Sequence, residues 1–193
     1  MRDPTRVGTL VGAMPANNQL GLPFDGKSRL NVGLLLSGPL GSRIAELNLY
    51  KMFRGKSNLM ASIGTTPGMQ QDFAKGIEKS LTAQGIETLE SKEVLAKSDL
   101  TLCIGWRSIV ERPHGSGLLL AFHDSMLPKL RGWNPLVSAI ELGMGSTGVT
   151  LFMAQDTPDT GPIIDQESFP LPERTDINIA LDYAADAIRV VIG

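Results

Sequence analysis

The sequence predicts an α/β protein: an open, mostly parallel, twisted sheet with helices on both faces. Three observations carry this expectation. Short apolar runs alternate with stretches of helical period along the chain, the pattern of strand-helix units joined by crossovers. Two of the runs, Leu118-Leu119-Leu120-Ala121-Phe122 and Gly148-Val149-Thr150-Leu151-Phe152-Met153, stop abruptly at polar clusters, as strands do where a sheet presents side chains at its rim. No repeat and no linker marks off a second domain, and 193 residues suit one.

Each element has its own justification. Residues 1–29 form an N-terminal extension rich in Pro, Gly and Asn, in which only residues 6–11 resemble a strand. The domain proper is expected over 30–193. Asn31-Val32-Gly33-Leu34-Leu35-Leu36 reads as a buried strand, residues 37–42 as a turn, and 43–53 as a helix with Ile44, Leu47 and Tyr50 on one face. A weaker strand over 58–64 precedes a helix over 68–84, with Phe73, Ile77 and Leu81 as its stripe and Gly85 as its stop. A short strand over 86–89 leads to a helix over 91–96, capped by Ser91. Residues 98–105 are the next strand, with Cys103 as a buried member. Pro135 opens a helix to about Leu142, with Asn134 as cap and Leu136, Val137 and Ile140 facing the sheet. An edge segment at 169–172 and a last helix over 176–191 close the chain. That helix places Ile179, Tyr183, Ala187 and Val190 on one stripe, with Asp176 as cap.

Composition excludes several classes. A net charge of −2 offers no basic surface for nucleic acid. A lone cysteine rules out an intramolecular disulfide and a cysteine-built zinc site, and no metal is expected. No apolar run reaches the roughly 20 residues of a membrane span, and no secretory leader is legible. A cytoplasmic location follows by default.

The chemistry concentrates between residues 118 and 166. The strand ending at Phe122 delivers His123. The strand ending at Met153 leads into Asp156-Thr157-Pro158-Asp159-Thr160-Gly161-Pro162, a loop dense in turn formers. Two strand ends thus carry an imidazole and a carboxylate, His123 and Asp159, a pair suited to moving protons near neutral pH.

These residues resemble the folate-dependent formyltransferase family, which includes the methionyl-tRNA, glycinamide ribonucleotide and amino-sugar formyltransferases. The likeness rests on His123, Ser125-Met126-Leu127-Pro128, Arg131-Gly132 and Asp159-Thr160-Gly161-Pro162-Ile163. It covers the last two thirds of the chain well and the first third weakly. It implies a Rossmann-like fold and 10-formyltetrahydrofolate as co-substrate. It also implies His123 and Asp159 as catalytic residues. Folate contacts would come from Arg107, Ser108 and Ile109 after one strand and from Gln155, Asp156 and Thr157 after another. The acceptor would meet Ser37, Gly38, Ser125, Trp133 and Asn134. Charge balance favours a small amine over tRNA, such as an amino sugar nucleotide or an ornithine-type amine; a homodimer is left open.

One departure is specific. The family carries an Asn two residues before its His, and Ala121 stands there. On a strand, residues two apart share a face, so only a methyl group would lie beside His123. Three outcomes are open: another donor such as Asn134, Ser125 or a backbone N–H serves the oxyanion, transfer is slow, or transfer is lost. The alternatives to a formyltransferase are a hydrolase of the same donor and a non-catalytic folate- or metabolite-binding protein.

Overall fold

The computed structural model describes residues 29–53, 57–65 and 71–192. The strand expected at residues 6–11, and with it the N-terminal extension up to residue 28, lies outside the described residues. Seven strands take the order β3-β2-β1-β4-β5-β6-β7 in an open sheet. The described residues divide into two compact units, one up to Leu119 with Ile192, and one over Leu120–Val191.

The first unit is built around β1 (Leu30–Ser37), which pairs in parallel with β2 (Ser57–Gly64) on one side and β4 (Leu100–Ile104) on the other. β3 (Glu87–Thr88) adds a short parallel strand beside β2. Val32, Leu34, Leu35 and Leu36 are all fully buried. That is why β1 shows no polar-apolar alternation: a central parallel strand is covered on both faces. Gly33 lets α4 (Ser91–Lys97) come close, because a Cβ there would strike Ser98 Oγ and Val94 Cγ1.

Residues 37–53 depart from expectation. Helix α1 (Gly38–Glu46) begins inside the predicted turn, with Gly38 at φ 62° and Pro39 in its first turn, where a missing N–H costs nothing. Leu47 is extended and breaks the helix. A separate turn, α2 (Leu49–Met52), restarts behind Asn48, whose side chain accepts from Lys51 N–H at 2.9 Å. Gln84 spans the break, donating to the Ala45 carbonyl at 2.8 Å and accepting from Leu49 N–H at 2.9 Å. Tyr50 is therefore exposed rather than on a common buried stripe. In α3 (Gln71–Ala83), Ile77 and Leu81 are fully buried and Phe73 is exposed. Gly85 at φ 68° ends that helix, and Ile86 N–H returns to the Leu81 carbonyl at 3.0 Å. The cap of α4 is Glu90, not Ser91, which is already its first helical residue. Cys103 is buried in β4 as expected, and burial pushes its thiol up from 9.0 to about 12.

β5 (Leu118–His123) starts in the first unit and ends in the second. In the second unit it pairs antiparallel with β6 (Ser146–Met153), which pairs antiparallel with β7 (Ile163–Pro170). The polar series Asp165-Gln166-Glu167-Ser168 hides most of β7 in the sequence, and only its end at Phe169-Pro170 is legible as an edge segment. Charges and a proline at its end suit the terminal strand of the order. Helix α5 (Pro135–Glu141) buries Leu136 and Ala139; Val137 is exposed and Ile140 only half-buried. Asn134 sits at its start in the left-handed region and makes no side-chain cap; its carbonyl accepts from Ser138 N–H at 3.1 Å. Helix α6 (Ile177–Ile192) turns Ala180, Leu181, Ala184, Ala185, Ala187, Ile188 and Val191 inward and leaves Ile179, Tyr183 and Val190 exposed. Only Ala187 of the predicted stripe is buried, because an alanine-rich face is invisible beside larger apolar residues. Asp176 does cap it, accepting from Asn178 N–H at 2.7 Å.

Candidate active site

His123 is the last residue of β5 and 8% exposed at its side chain. Its Nε2 lies 2.8 Å from the Leu130 carbonyl. A carbonyl only accepts, so Nε2 carries a proton. Nδ1 is then the nitrogen left for exchange, and it faces Asp159 Oδ1 at 3.5 Å. That is longer than an N–H···O bond at its usual 2.7–3.2 Å, so Nδ1 is turned toward the carboxylate without being tied to it. The other Asp159 oxygen, Oδ2, accepts from Gly132 N–H at 2.9 Å. Asp159 thus joins the loop after β6 to the loop after β5.

Both loops hold unusual backbone. Leu130, Gly132 and Asn134 have φ of 53°, 95° and 51°, and Asp159 has 56°. Left-handed geometry costs a non-glycine residue about 1–2 kcal/mol, and such residues gather where function sets the conformation. At Leu130 it aims the carbonyl at His123. At Asp159 it turns the carboxylate back over the first loop. Next to that loop, β6 and β7 shift register between Leu151 and Phe152, so Ile164 lies between the pairs Leu151–Asp165 and Phe152–Ile163. A bulge of this kind bends the strand and re-aims neighbouring side chains. Gly161 is required close by, because a Cβ there would meet the Met153 carbonyl oxygen.

The first loop is braced from inside. Ser125 is fully buried, and its hydroxyl donates to the Lys129 carbonyl at 2.6 Å. Thr150, also fully buried, donates to the Ser125 carbonyl at 2.7 Å and accepts from Leu127 N–H at 3.0 Å. Gln166 donates to Thr150 Oγ1 at 2.8 Å and to the Leu127 carbonyl at 2.9 Å. None of this bracing is legible in the sequence: the partners are backbone groups or residues on strands whose antiparallel register no local pattern reveals.

Comparison with known proteins places the chain in a family. Residues 77–182 match the family model described as formyl transferase. The chain belongs to the formyl transferase family. A methionyl-tRNA formyltransferase of Fervidobacterium nodosum is 33% identical over 94 residues, 48% of this chain and 29% of that protein. One from Prochlorococcus marinus is 30% identical over 122 residues, 58% of this chain and 35% of that protein. The chain thus spans about a third of the length of these curated relatives. The fold is shared with solved structures. A phosphoribosylglycinamide formyltransferase from Anaplasma phagocytophilum superposes with a TM-score of 0.65 at 24% identity, covering 84% of this chain and 82% of that one. The sugar 3N-formyl transferase WlaRD, solved in the presence of dTDP and 5-N-formyl-THF, gives 0.68 at 16% identity over 85% of this chain and 60% of that one. A formyltetrahydrofolate deformylase from Pseudomonas syringae gives 0.65 at 16% identity over 86% and 59%.

Of the residues singled out by the family likeness, His123 and Asp159 are brought together. Ser125 is sealed inside the loop with its hydroxyl committed. Trp133 is 71% exposed, and Asn134 is exposed beside it. Gln155, Asp156 and Thr157 belong to the Asp159 loop; Asp156 and Thr157 are exposed, and the Thr157 carbonyl accepts from Thr160 Oγ1 at 2.9 Å. Ala121 is half-buried on β5 and paired with Phe152, two residues before the His123–Thr150 pair. The remaining positions belong to the first unit. Ser37 is buried and donates to the Gly64 carbonyl at 3.2 Å, with Gly38 next in the chain at the start of α1. Arg107, Ser108 and Ile109 come after β4, with Ile109 92% exposed. Trp106 lies against Gly64, and its buried indole N–H has no hydrogen-bond partner. Among the described residues no group of three His, Cys, Asp or Glu is placed to hold a metal ion, and no helix is long and apolar enough to cross a membrane.

Proposed function

We propose that this chain, with residues 30–193 as its catalytic domain, transfers a formyl group from 10-formyltetrahydrofolate to a small-molecule amine. An amino sugar nucleotide or an ornithine-type amine is the acceptor class. The observation that carries the reading is His123 held through Nε2 on the Leu130 carbonyl, with Nδ1 turned to Asp159. Membership in the formyl transferase family supports it. A net charge of −2 favours a small acceptor over tRNA.

The ammonium of the acceptor first loses a proton, taken up by water beside the Asp159 carboxylate. The free amine nitrogen then attacks the formyl carbon. His123, protonated at Nδ1, donates to the oxygen that gains negative charge. Collapse breaks the bond from the formyl carbon to the folate nitrogen, that nitrogen takes a proton from His123, and the attacking nitrogen gives up its second proton, which returns to His123 Nδ1. Asp159 balances the ring's positive charge during this sequence. The products are the N-formyl amine, tetrahydrofolate and one proton. With Ala121 in β5, the Nδ1–H is the side-chain donor to the oxyanion. Two sets of residues are proposed as donor contacts, each within its own unit: Arg107, Ser108 and Ile109 in the first, and Gln155, Asp156 and Thr157 in the second. The exposed Ile109 side chain and the unpaired Trp106 N–H suit a heterocycle with apolar faces and a polar edge.

Release of tetrahydrofolate from 10-formyltetrahydrofolate, monitored with and without a panel of amines, tests this. Amine-dependent release with a formylated product is expected. Formate released at the same rate without amine would make the protein a hydrolase, and folate binding with no turnover would make it a binding protein. Formylation of methionyl-tRNA in preference to every small amine would overturn the acceptor assignment.

A further inference from the structure

His123, Thr150 and Gln166 form a row across three strands. His123 pairs with Thr150 in the β5–β6 ladder, and Thr150 pairs with Gln166 in the β6–β7 ladder. Paired residues on adjacent strands point to the same face of a sheet. The middle and outer members of the row hold the loop that holds the first. Thr150 Oγ1 makes all three hydrogen bonds a hydroxyl can make, one donated and two accepted. The Gln166 amide nitrogen donates to both Thr150 Oγ1 and the Leu127 carbonyl. The amide orientation is unambiguous, since the Leu127 carbonyl can only accept. A polar network so fully paired is rigid, and losing one member leaves several buried groups unpaired.

We propose that Thr150, completed by Gln166, is the positioning residue that selects the Nε2–H tautomer of His123. The inference rests on the formyl-transfer reading only for its effect on turnover. The physical chain is short. Thr150 and Gln166 fix Ser125 and Leu127; Ser125 Oγ fixes Lys129. The next carbonyl, that of Leu130 at φ 53°, takes the Nε2 proton. With the loop free, the left-handed turn at Leu130 relaxes and the carbonyl leaves the ring. Either nitrogen then carries the proton, and Nδ1 loses its fixed assignment toward Asp159.

Ring-nitrogen NMR on ¹⁵N-histidine protein reads this directly. The chain has two histidines, so a His114→Gln background leaves His123 as the only imidazole. The parent is expected to show a single Nε2–H tautomer at high pH. Thr150→Val removes the hydroxyl at nearly constant volume and is expected to give mixed tautomers. In turnover it lowers kcat by about 10- to 100-fold, by analogy with the cost of losing a hydrogen-bond partner that orients a metal-bound histidine, with KM for the donor little changed. Thr150→Ser keeps the oxygen and is expected to restore both readouts. Gln166→Leu removes one arm of the latch and moves the spectrum the same way to a smaller extent, which keeps the test open if Thr150→Val does not fold. A folded Thr150→Val or Gln166→Leu protein with the parent's ring-nitrogen spectrum overturns the proposal, as does a Thr150→Ser protein with mixed tautomers. If the parent turns over no folate, the formyl-transfer reading falls, and the spectra still decide the latch.

Discussion

The two compact units solve different problems with the same kind of strand. β1 in the first unit is apolar, fully buried over most of its length and paired in parallel on both sides. β6 in the second is also central among its neighbours, but it is antiparallel to both and carries Thr150 at full burial. The first unit stabilises itself by removing apolar surface from water. The second places a polar network and four non-ideal backbone conformations, at Leu130, Gly132, Asn134 and Asp159, within two loops. The difference teaches that stability and chemistry are separable here by position, and substitutions should divide accordingly.

The largest separation is expected from His123→Ala. It should lower kcat/KM by about 100- to 10,000-fold, the range for a lost proton-transfer group, while a thermal melt stays close to that of the parent. A coincident collapse of the melt would show that the imidazole is structural. Leu34→Ala should do the reverse. Emptying a fully buried leucine site costs about 2–5 kcal/mol, read as a lower denaturant midpoint, with KM unchanged in the folded protein. Ala121→Asn sharpens the comparison within β5. It should raise the rate of formyl transfer by some part of the roughly 100-fold that one preorganised oxyanion donor supplies elsewhere. A rate unchanged or lowered would show that a second side-chain donor beside the Nδ1–H adds nothing to oxyanion stabilisation. The smallest effect is expected at Cys103. With its thiol pushed up to about 12, the thiolate is about one part in ten thousand at pH 8. Alkylating reagents should leave the native protein unlabelled and modify one site after unfolding. Folding favours the neutral thiol, so this contribution to stability is intact below pH 9.0 and is lost as pH rises toward about 12. Rapid native labelling at pH 8 would contradict the burial.

The first unit is largely legible in the sequence. β1, β2 and β4 contain apolar runs, its helix stop is Gly85, and both are local signals. The misreading there is also local in origin: Pro39 and Gly38 look like a turn in sequence yet form the first turn of α1. In the second unit the side chains of the candidate site, His123 and Asp159, are legible because a reactive residue at the end of an apolar run stands out. Their supports are not. The Leu130 carbonyl and the Gly132 amide have no side-chain signature. Thr150 and Gln166 become partners only through an antiparallel register that strand-helix alternation does not suggest. The α6 face is misread because alanines at 180, 184 and 185, which share its buried side with Leu181, Ala187, Ile188 and Val191, carry little weight in a hydrophobic pattern.

The grip on Asp159 comes from the main chain of residue 132, and the grip on the imidazole from the main chain of residue 130. At neither position does a side chain make the contact. Replacing the peptide N–H at position 132 by an ester oxygen removes that donor and changes no side chain. That exchange is expected to loosen the Asp159 carboxylate while every amino-acid side chain stays as it is.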